Sequence, residues 1–217
     1  MHATLRVFIF STGMAALAYA IYVSNVEPAP DSASGHVFVT DIHEQSMQSL
    51  LTIHPGKNVP KEVHMIVEIP TGSQNKYEFS EDYRVVKLDR VLPSAQRYPV
   101  EYGFLPRSRA EDGDPLDIIA LVTEPTAPGI LITVRPIGTM NMQDGDDDDS
   151  KVVAVPVDDI RFADIQTIDD VPEAKLKEIA DFFSTYKNLL SKKTSVSGWG
   201  NREEGEKLIQ EGLEHFQ

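Results

Sequence analysis

Asp112-Gly113-Asp114-Pro115-Leu116-Asp117 places three carboxylates within six residues, at the entrance to the apolar run 118–122. On one face of a fold these charges repel one another. A magnesium ion removes that cost, because a hard dication prefers carboxylate oxygen and water. Asp, Gly and Pro are also turn residues, so a solvated turn is the plain alternative for this stretch taken alone. A second cluster, Asp144-Gly145-Asp146-Asp147-Asp148-Asp149 with Lys151 behind it, joins two strong strand signals, so its ends are anchored. A solvated hairpin tip is again the plain alternative. Calcium binding of the EF-hand kind fails on spacing. A loop opening at Asp144 needs Gly at 149 and Glu at 155, where the chain has Asp149 and Val155.

Cations and phenols surround these acids. Glu68, Lys76, Glu78, Arg90, Tyr98 and Tyr102 precede the first cluster, and Tyr186-Lys187 lies on a helical stripe. Lys and Arg offer charged donors to phosphate, and tyrosines add directional hydrogen bonds. Each alone is more simply a surface charge or a half-buried ring. Metal ions and cations converging on one pocket are what phosphoryl transfer requires, since charge developing on phosphate oxygens must be neutralised.

Other chemistries are excluded. The chain has no cysteine, so disulfides, thiolate zinc sites, iron–sulfur clusters and a cysteine nucleophile are ruled out. GxGxxG, HExxH, GxSxG and the GxxxxGK phosphate loop are absent, and the six histidines are scattered without metal-ligand spacing. A formal net charge of −14 has the wrong sign for a partner of nucleic acid. With 217 residues, 41% of them hydrophobic, the chain can bury the core of one domain or two small ones.

The elements that must hold these residues are short strands followed by helices. Strand signals fall at 64–69, 76–79, 83–92, 118–122, 130–137 and 151–157, separated by Pro, Gly or Asp turns. Their density predicts a closed antiparallel barrel. Asp170 is the expected N-cap of a helix whose Leu176, Ile179, Ala180, Phe183, Tyr186 and Leu190 form one apolar stripe. A second helix, capped by Asn201, is expected over 202–216. Trp199 is expected to pack where the barrel meets it. The fold class is α+β, mainly β.

The amino terminus has a different composition. Arg6 is followed by an apolar run from Val7 to Val23, the pattern of a signal peptide, with Ala18-Tyr19-Ala20 as a cleavage site. Because Ile21, Tyr22 and Val23 continue the run, an uncleaved signal anchor over 1–24 is one alternative, and a buried helix of the domain is the other. The stretch SNVEPAPDSASGH begins a linker assigned to 25–44, and the folded domain is expected over 45–217.

The order of these pieces resembles the soluble family I inorganic pyrophosphatases. The likeness rests on EIPTGSQNKYEF (68–79), LDRVLPSAQRYPVEYGFLP (88–106), DGDPLDI (112–118), VRPIGTMNMQDGDDDDSKVVAVP (134–156), FFSTYKNL (182–189) and GWGN (198–201). It implies an OB-like five-stranded barrel with two packed C-terminal helices. It implies Mg2+-dependent hydrolysis of inorganic diphosphate to two phosphates, by in-line attack of a metal-activated water. Asp112, Asp117, Asp144 and Asp149 are then the metal ligands, with Asp117 and Asp149 shared between ions. Glu68 is the ligand of a further ion arriving with substrate. Asp114 is the base, with Tyr102 beside it. Lys76, Arg90, Tyr186 and Lys187 clamp the substrate, Lys151 lies close to the same oxygens, and Glu78 and Tyr98 support them. A homo-oligomer, hexameric by analogy, follows from the same resemblance.

Two features depart from the family pattern. Gly145 stands where many bacterial members have glutamate, so loop order or metal affinity is expected to suffer. The amino-terminal extension predicts a periplasmic or secreted protein, membrane-bound only if the segment stays uncleaved, whereas the family default is cytoplasmic. Two rival readings stay open. One is an exported phosphatase for nucleotides or short polyphosphate. The other is a non-catalytic acidic metal-binding protein, which would need no phosphate clamp.

Overall fold

The computed structural model describes residues 49–216; the signal-like segment at 1–24 and the linker at 25–44 lie outside the described residues. Among the described residues nine strands appear: β1 (Val63–Ile69), β2 (Asn75–Ser80), β3 (Val85–Val91), β4 (Glu101–Phe104), β5 (Asp117–Ala120), β6 (Leu131–Asp144), β7 (Asp147–Asp148), β8 (Lys151–Pro156) and β9 (Thr194–Gly200). Two helices follow the sheet signals, α1 (Glu173–Thr185) and α2 (Arg202–Glu214).

Five strands close on themselves. The hydrogen-bonded order β1-β4-β5-β8-β6 returns to its start because β6 also pairs with β1, Val134 beside Val63. Closure leaves no free edge along this ring. One pair breaks the expected antiparallel rule: β5 and β8 run parallel, Ile118 beside Val152 and Ala120 beside Ala154. Both are short apolar runs buried on two faces, the composition a parallel pair needs. Their side chains alternate between two cores. Ile118, Ala120, Val152 and Ala154 pack with Val63, Met65 and Ile209 of α2. Ile119, Val153 and Val155 pack with Tyr98, Phe182 and Phe183, the last two on α1.

The remaining strands serve the site. β6 is long enough to leave the barrel, and its far end carries β7 and β9. β2 and β3 form a separate two-stranded ribbon and contribute nothing to the barrel, contrary to the expectation from their β signal. β4 and β9 carry no strong strand signal; both contain glycine, and tertiary pairing decides them. Trp199 lies on β9 opposite Met140, against the core shared with α1.

The α1 start also differs from expectation. Pro172 is the N-cap, while the Asp170 carboxylate accepts the backbone N–H groups of Gln166 and Thr167 at 2.9 and 2.8 Å, closing the preceding 3-10 turn. Asn201 does cap α2, its Oδ1 accepting the Glu204 N–H at 2.9 Å.

Candidate active site

Asp117 opens β5 and Lys151 opens β8, so the parallel register stands their side chains together. Lys151 Nζ lies 2.7 Å from Asp117 Oδ2 and 2.7 Å from Asp149 Oδ1, and the lysine is 1% exposed. Burial opposes its charge, but Asp117 and Asp149 outweigh burial and raise its pKa. From β4, the other neighbour of β5, the Tyr102 hydroxyl donates to the same Asp117 oxygen. Burial, reinforced by Asp117, pushes that hydroxyl well above the usual phenol range, so it acts as a donor. The Asp149 carboxyl is itself raised, chiefly by burial.

Asp144 ends β6 and pairs with Lys187, which follows the α1 C-cap Tyr186. The acidic loop between β6 and β7 is a two-residue turn with Asp144 beside Asp147. Gly145 takes φ +69° there, a conformation that glycine reaches without strain, and its N–H donates to Lys193 O at 2.9 Å. Glycine therefore suits the backbone conformation that this turn adopts.

The DGDPLD segment forms a lip. Asp112 Oδ1 accepts the Asp114 N–H at 3.0 Å, and both residues are exposed. Partial burial, then Asp112 and Asp117, raise the Asp114 carboxyl above the ordinary range. A carboxyl shifted this way is a better proton acceptor than a free aspartate.

The β2–β3 ribbon supplies the opposite wall. Lys76 and Arg90 are register partners. Lys76 contacts Glu78 and stands 3.8 Å from Asp89 Oδ2, to which Arg90 Nη1 donates at 2.6 Å. Arg90 Nε is buried without a hydrogen-bond partner, a donor still open to an acceptor. Glu68, on β1, fixes the ribbon: its Oε1 accepts the Phe79 N–H at 2.6 Å. Burial pushes the Glu68 carboxyl up to about 8, against the pull of that amide. Tyr98 lies beneath, its ring 4.8 Å from Phe182 and 6.4 Å from Tyr186.

Glu68, Lys76, Glu78, Tyr98, Tyr102, Asp112, Asp114, Asp117, Asp144, Asp149, Tyr186 and Lys187 all line one cavity of about 950 Å³. Arg90 and Lys151 do not line it: Arg90 is held by Asp89, and Lys151 is buried behind Asp117 and Asp149. Sequence reasoning missed Asp89, which holds Arg90 and approaches Lys76. It also missed Glu204, Lys207, Leu208, Glu211 and His215, which line the same cavity from α2. Their three- and four-residue spacing in the sequence marks one helix face.

Among the described residues, no three carboxylates converge closely enough to hold a metal ion as they stand. Asp117 and Asp149 are turned onto the Lys151 ammonium instead, and Asp144 onto that of Lys187. The donor set still fits a hard divalent cation. It is all carboxylate oxygen, and a cation, the Lys151 ammonium, already stands between Asp117 and Asp149.

A model of the inorganic pyrophosphatase family matches residues 65–217. The chain belongs to the inorganic pyrophosphatase family. An inorganic pyrophosphatase of Geobacillus stearothermophilus is 49% identical over 156 residues, covering 72% of this chain and 94% of that protein. The crystal structure of inorganic pyrophosphatase from Thermus thermophilus superposes with a TM-score of 0.76 at 43% identity, covering 78% of this chain and 99% of that one. A structure of an inorganic pyrophosphatase from Coxiella burnetii gives 0.72 at 38% identity, covering 76% and 100%. The closed barrel with two C-terminal helices is thus the pyrophosphatase fold, and the chain is an enzyme of the inorganic diphosphatase class.

Proposed function

We propose that this chain hydrolyses inorganic diphosphate to two phosphates, using Mg2+ held by Asp112, Asp117, Asp144 and Asp149, with Glu68 joining when substrate arrives. The observation that carries the reading is the single cavity in which these acids face Lys76, Tyr186 and Lys187. Mere metal binding needs no such wall of phosphate donors. Bound Mg2+ supplies charge neutralisation and lowers the pKa of water. Asp114 receives the proton of the attacking water, and its raised pKa suits that task. Tyr102 fixes the orientation of Asp117 through its hydroxyl. Lys76, Arg90, Tyr186 and Lys187 take phosphate oxygens and offset charge on the leaving phosphate, with Lys151 close to the same oxygens. Glu78 and Tyr98 hold Lys76 and Tyr186 in place.

The deciding experiment is phosphate release by the purified full-length chain, with and without Mg2+. Diphosphate is expected to be turned over only with the metal, and faster than nucleotides or tripolyphosphate. Equal or faster release from those substrates would make it a broader phosphatase, and no release from any of them would leave only metal binding.

The amino terminus belongs to the same proposal. Residues 1–24 act as an export signal or anchor and 25–44 as a linker to a catalytic domain over 45–217, so the enzyme works outside the cytoplasm. Among the described residues no helix is long and apolar enough to cross a membrane. Fractionation of cells expressing the full chain tests this; recovery in the cytosol with Met1 retained would refute it. Sedimentation of the purified protein tests the homo-oligomer, expected to be a hexamer.

A further inference from the structure

Glu101 is a fully buried acid that the reaction as described does not use. Its side chain is 0% exposed and faces away from Tyr102, its neighbour on β4. Oε1 accepts the Thr71 N–H at 3.2 Å and the Thr126 N–H at 3.0 Å, while Oε2 accepts the Thr126 hydroxyl at 3.1 Å. None of these donors is charged. A carboxylate in such a place costs more to bury than an apolar side chain, so its presence calls for a reason.

The reason lies in what Thr71 leads to. It belongs to the turn between β1 and β2, five residues before Lys76, and β2 has no ladder to the barrel. The ribbon that carries Lys76 and Arg90 is therefore located by a few separate ties. Glu68 holds its far end through Phe79. At the near end Gly72 N–H donates to Tyr98 O at 2.8 Å and Tyr98 N–H to Ser73 O at 2.9 Å. The Glu101 bond to Thr71 fastens the start of that turn to β4, and through Thr126 to the loop before β6.

We infer that Glu101 is a positioning residue for the substrate clamp: by holding the 70–74 turn against the barrel it sets where Lys76 stands in the cavity wall. This rests on the reading of Lys76 as a phosphate ligand. Methionine at 101 fills the same space without an acceptor, and glutamine keeps an oxygen for both backbone amides. Glu101→Met is expected to raise KM for magnesium diphosphate about tenfold with kcat within about threefold, because the clamp is displaced while the base and metal ligands stay. Glu101→Gln should stay close to the parent enzyme in both constants. In a Lys76→Ala background the methionine substitution should add little further to KM, since both changes act through the same side chain.

A methionine variant with parental KM, or with kcat lowered at unchanged KM, would show that Glu101 serves folding alone and overturn the inference. If Lys76→Ala itself left KM unchanged, the clamp reading would fail first, and this inference with it. Should the methionine variant not fold, amide exchange in the parent protein decides. The Thr71 amide is expected to be protected at least about a hundredfold over an unstructured amide. Exchange there at the unstructured rate would mean that the tie does not exist.

Discussion

At the residue scale the two neighbouring carboxylates of DGDPLD separate by environment. Asp117 is half-buried and engaged by Tyr102 and Lys151, whereas Asp114 is exposed at the lip with its pKa raised. Asparagine at either position keeps size and an acceptor oxygen but can take no proton. Asp114→Asn is expected to lower kcat by about 10²–10⁴-fold, with Mg2+ binding nearly unchanged. Asp117→Asn should weaken Mg2+ binding, and its rate should recover partly as magnesium is raised. Turnover against Mg2+ concentration for both variants, with isothermal titration of the metal, separates the roles. Full rescue of Asp114→Asn by excess magnesium would make Asp114 an ordinary ligand. The cluster was legible in the sequence because it is local, six consecutive positions, whereas the separate roles expected of Asp114 and Asp117 came from the family resemblance. Asp89 was not legible, because its meaning depends on the irregularity between Lys76 and Tyr77, which leaves Asp89 without a partner in the β2 ladder and beside both Lys76 and Arg90.

At the scale of elements, local signals named most strands but not their partners. β2 and β3 read as barrel strands because Val, Tyr and Phe are good strand formers, yet they pair only with each other. β4 has glycine at its centre. Gly103 faces β1 so closely that a Cβ would sit 2.0 Å from Ile66 O, so its glycine marks a close backbone approach rather than a loop. The α2 face in the cavity was readable only as amphipathic periodicity, and nothing local said which cavity it would meet. The acidic hairpin shows the opposite case, where one residue decides an element. Gly145→Ala places a Cβ at φ +69° and is expected to cost about 1 kcal/mol, read as a lowered melting temperature. Because that turn holds Asp144 at its mouth, Mg2+ affinity should fall alongside. An unchanged melt and unchanged affinity would show that the turn tolerates a side chain and that its geometry does not set the site.

At the scale of the whole molecule the acids create a stability problem that two lysines partly solve. The chain carries 34 acids against 20 bases, and Asp117, Asp144 and Asp149 are brought to one cavity. In the structure the Lys151 ammonium lies between Asp117 and Asp149, and Lys187 meets Asp144. Removing one partner of a buried ion pair is costly because the other charge is left uncompensated. Lys151→Met is therefore expected to lose about 3–5 kcal/mol in EDTA. With Mg2+ held, as proposed, by the native arrangement of these acids, a hundredfold excess over Kd is expected to add about 2.7 kcal/mol of stability. For a domain of this size that is a rise in melting temperature of roughly 5–10 °C. The gain should be larger for Lys151→Met than for the parent, because magnesium then supplies the cation between Asp117 and Asp149 that Lys151 no longer provides. Potassium chloride at matched ionic strength should reproduce little of it, since screening acts weakly on buried charges. Thermal melts of both proteins in EDTA, magnesium and potassium chloride decide the matter. Equal gains from magnesium and potassium would mean that the acids respond to screening alone and that no shared metal site exists.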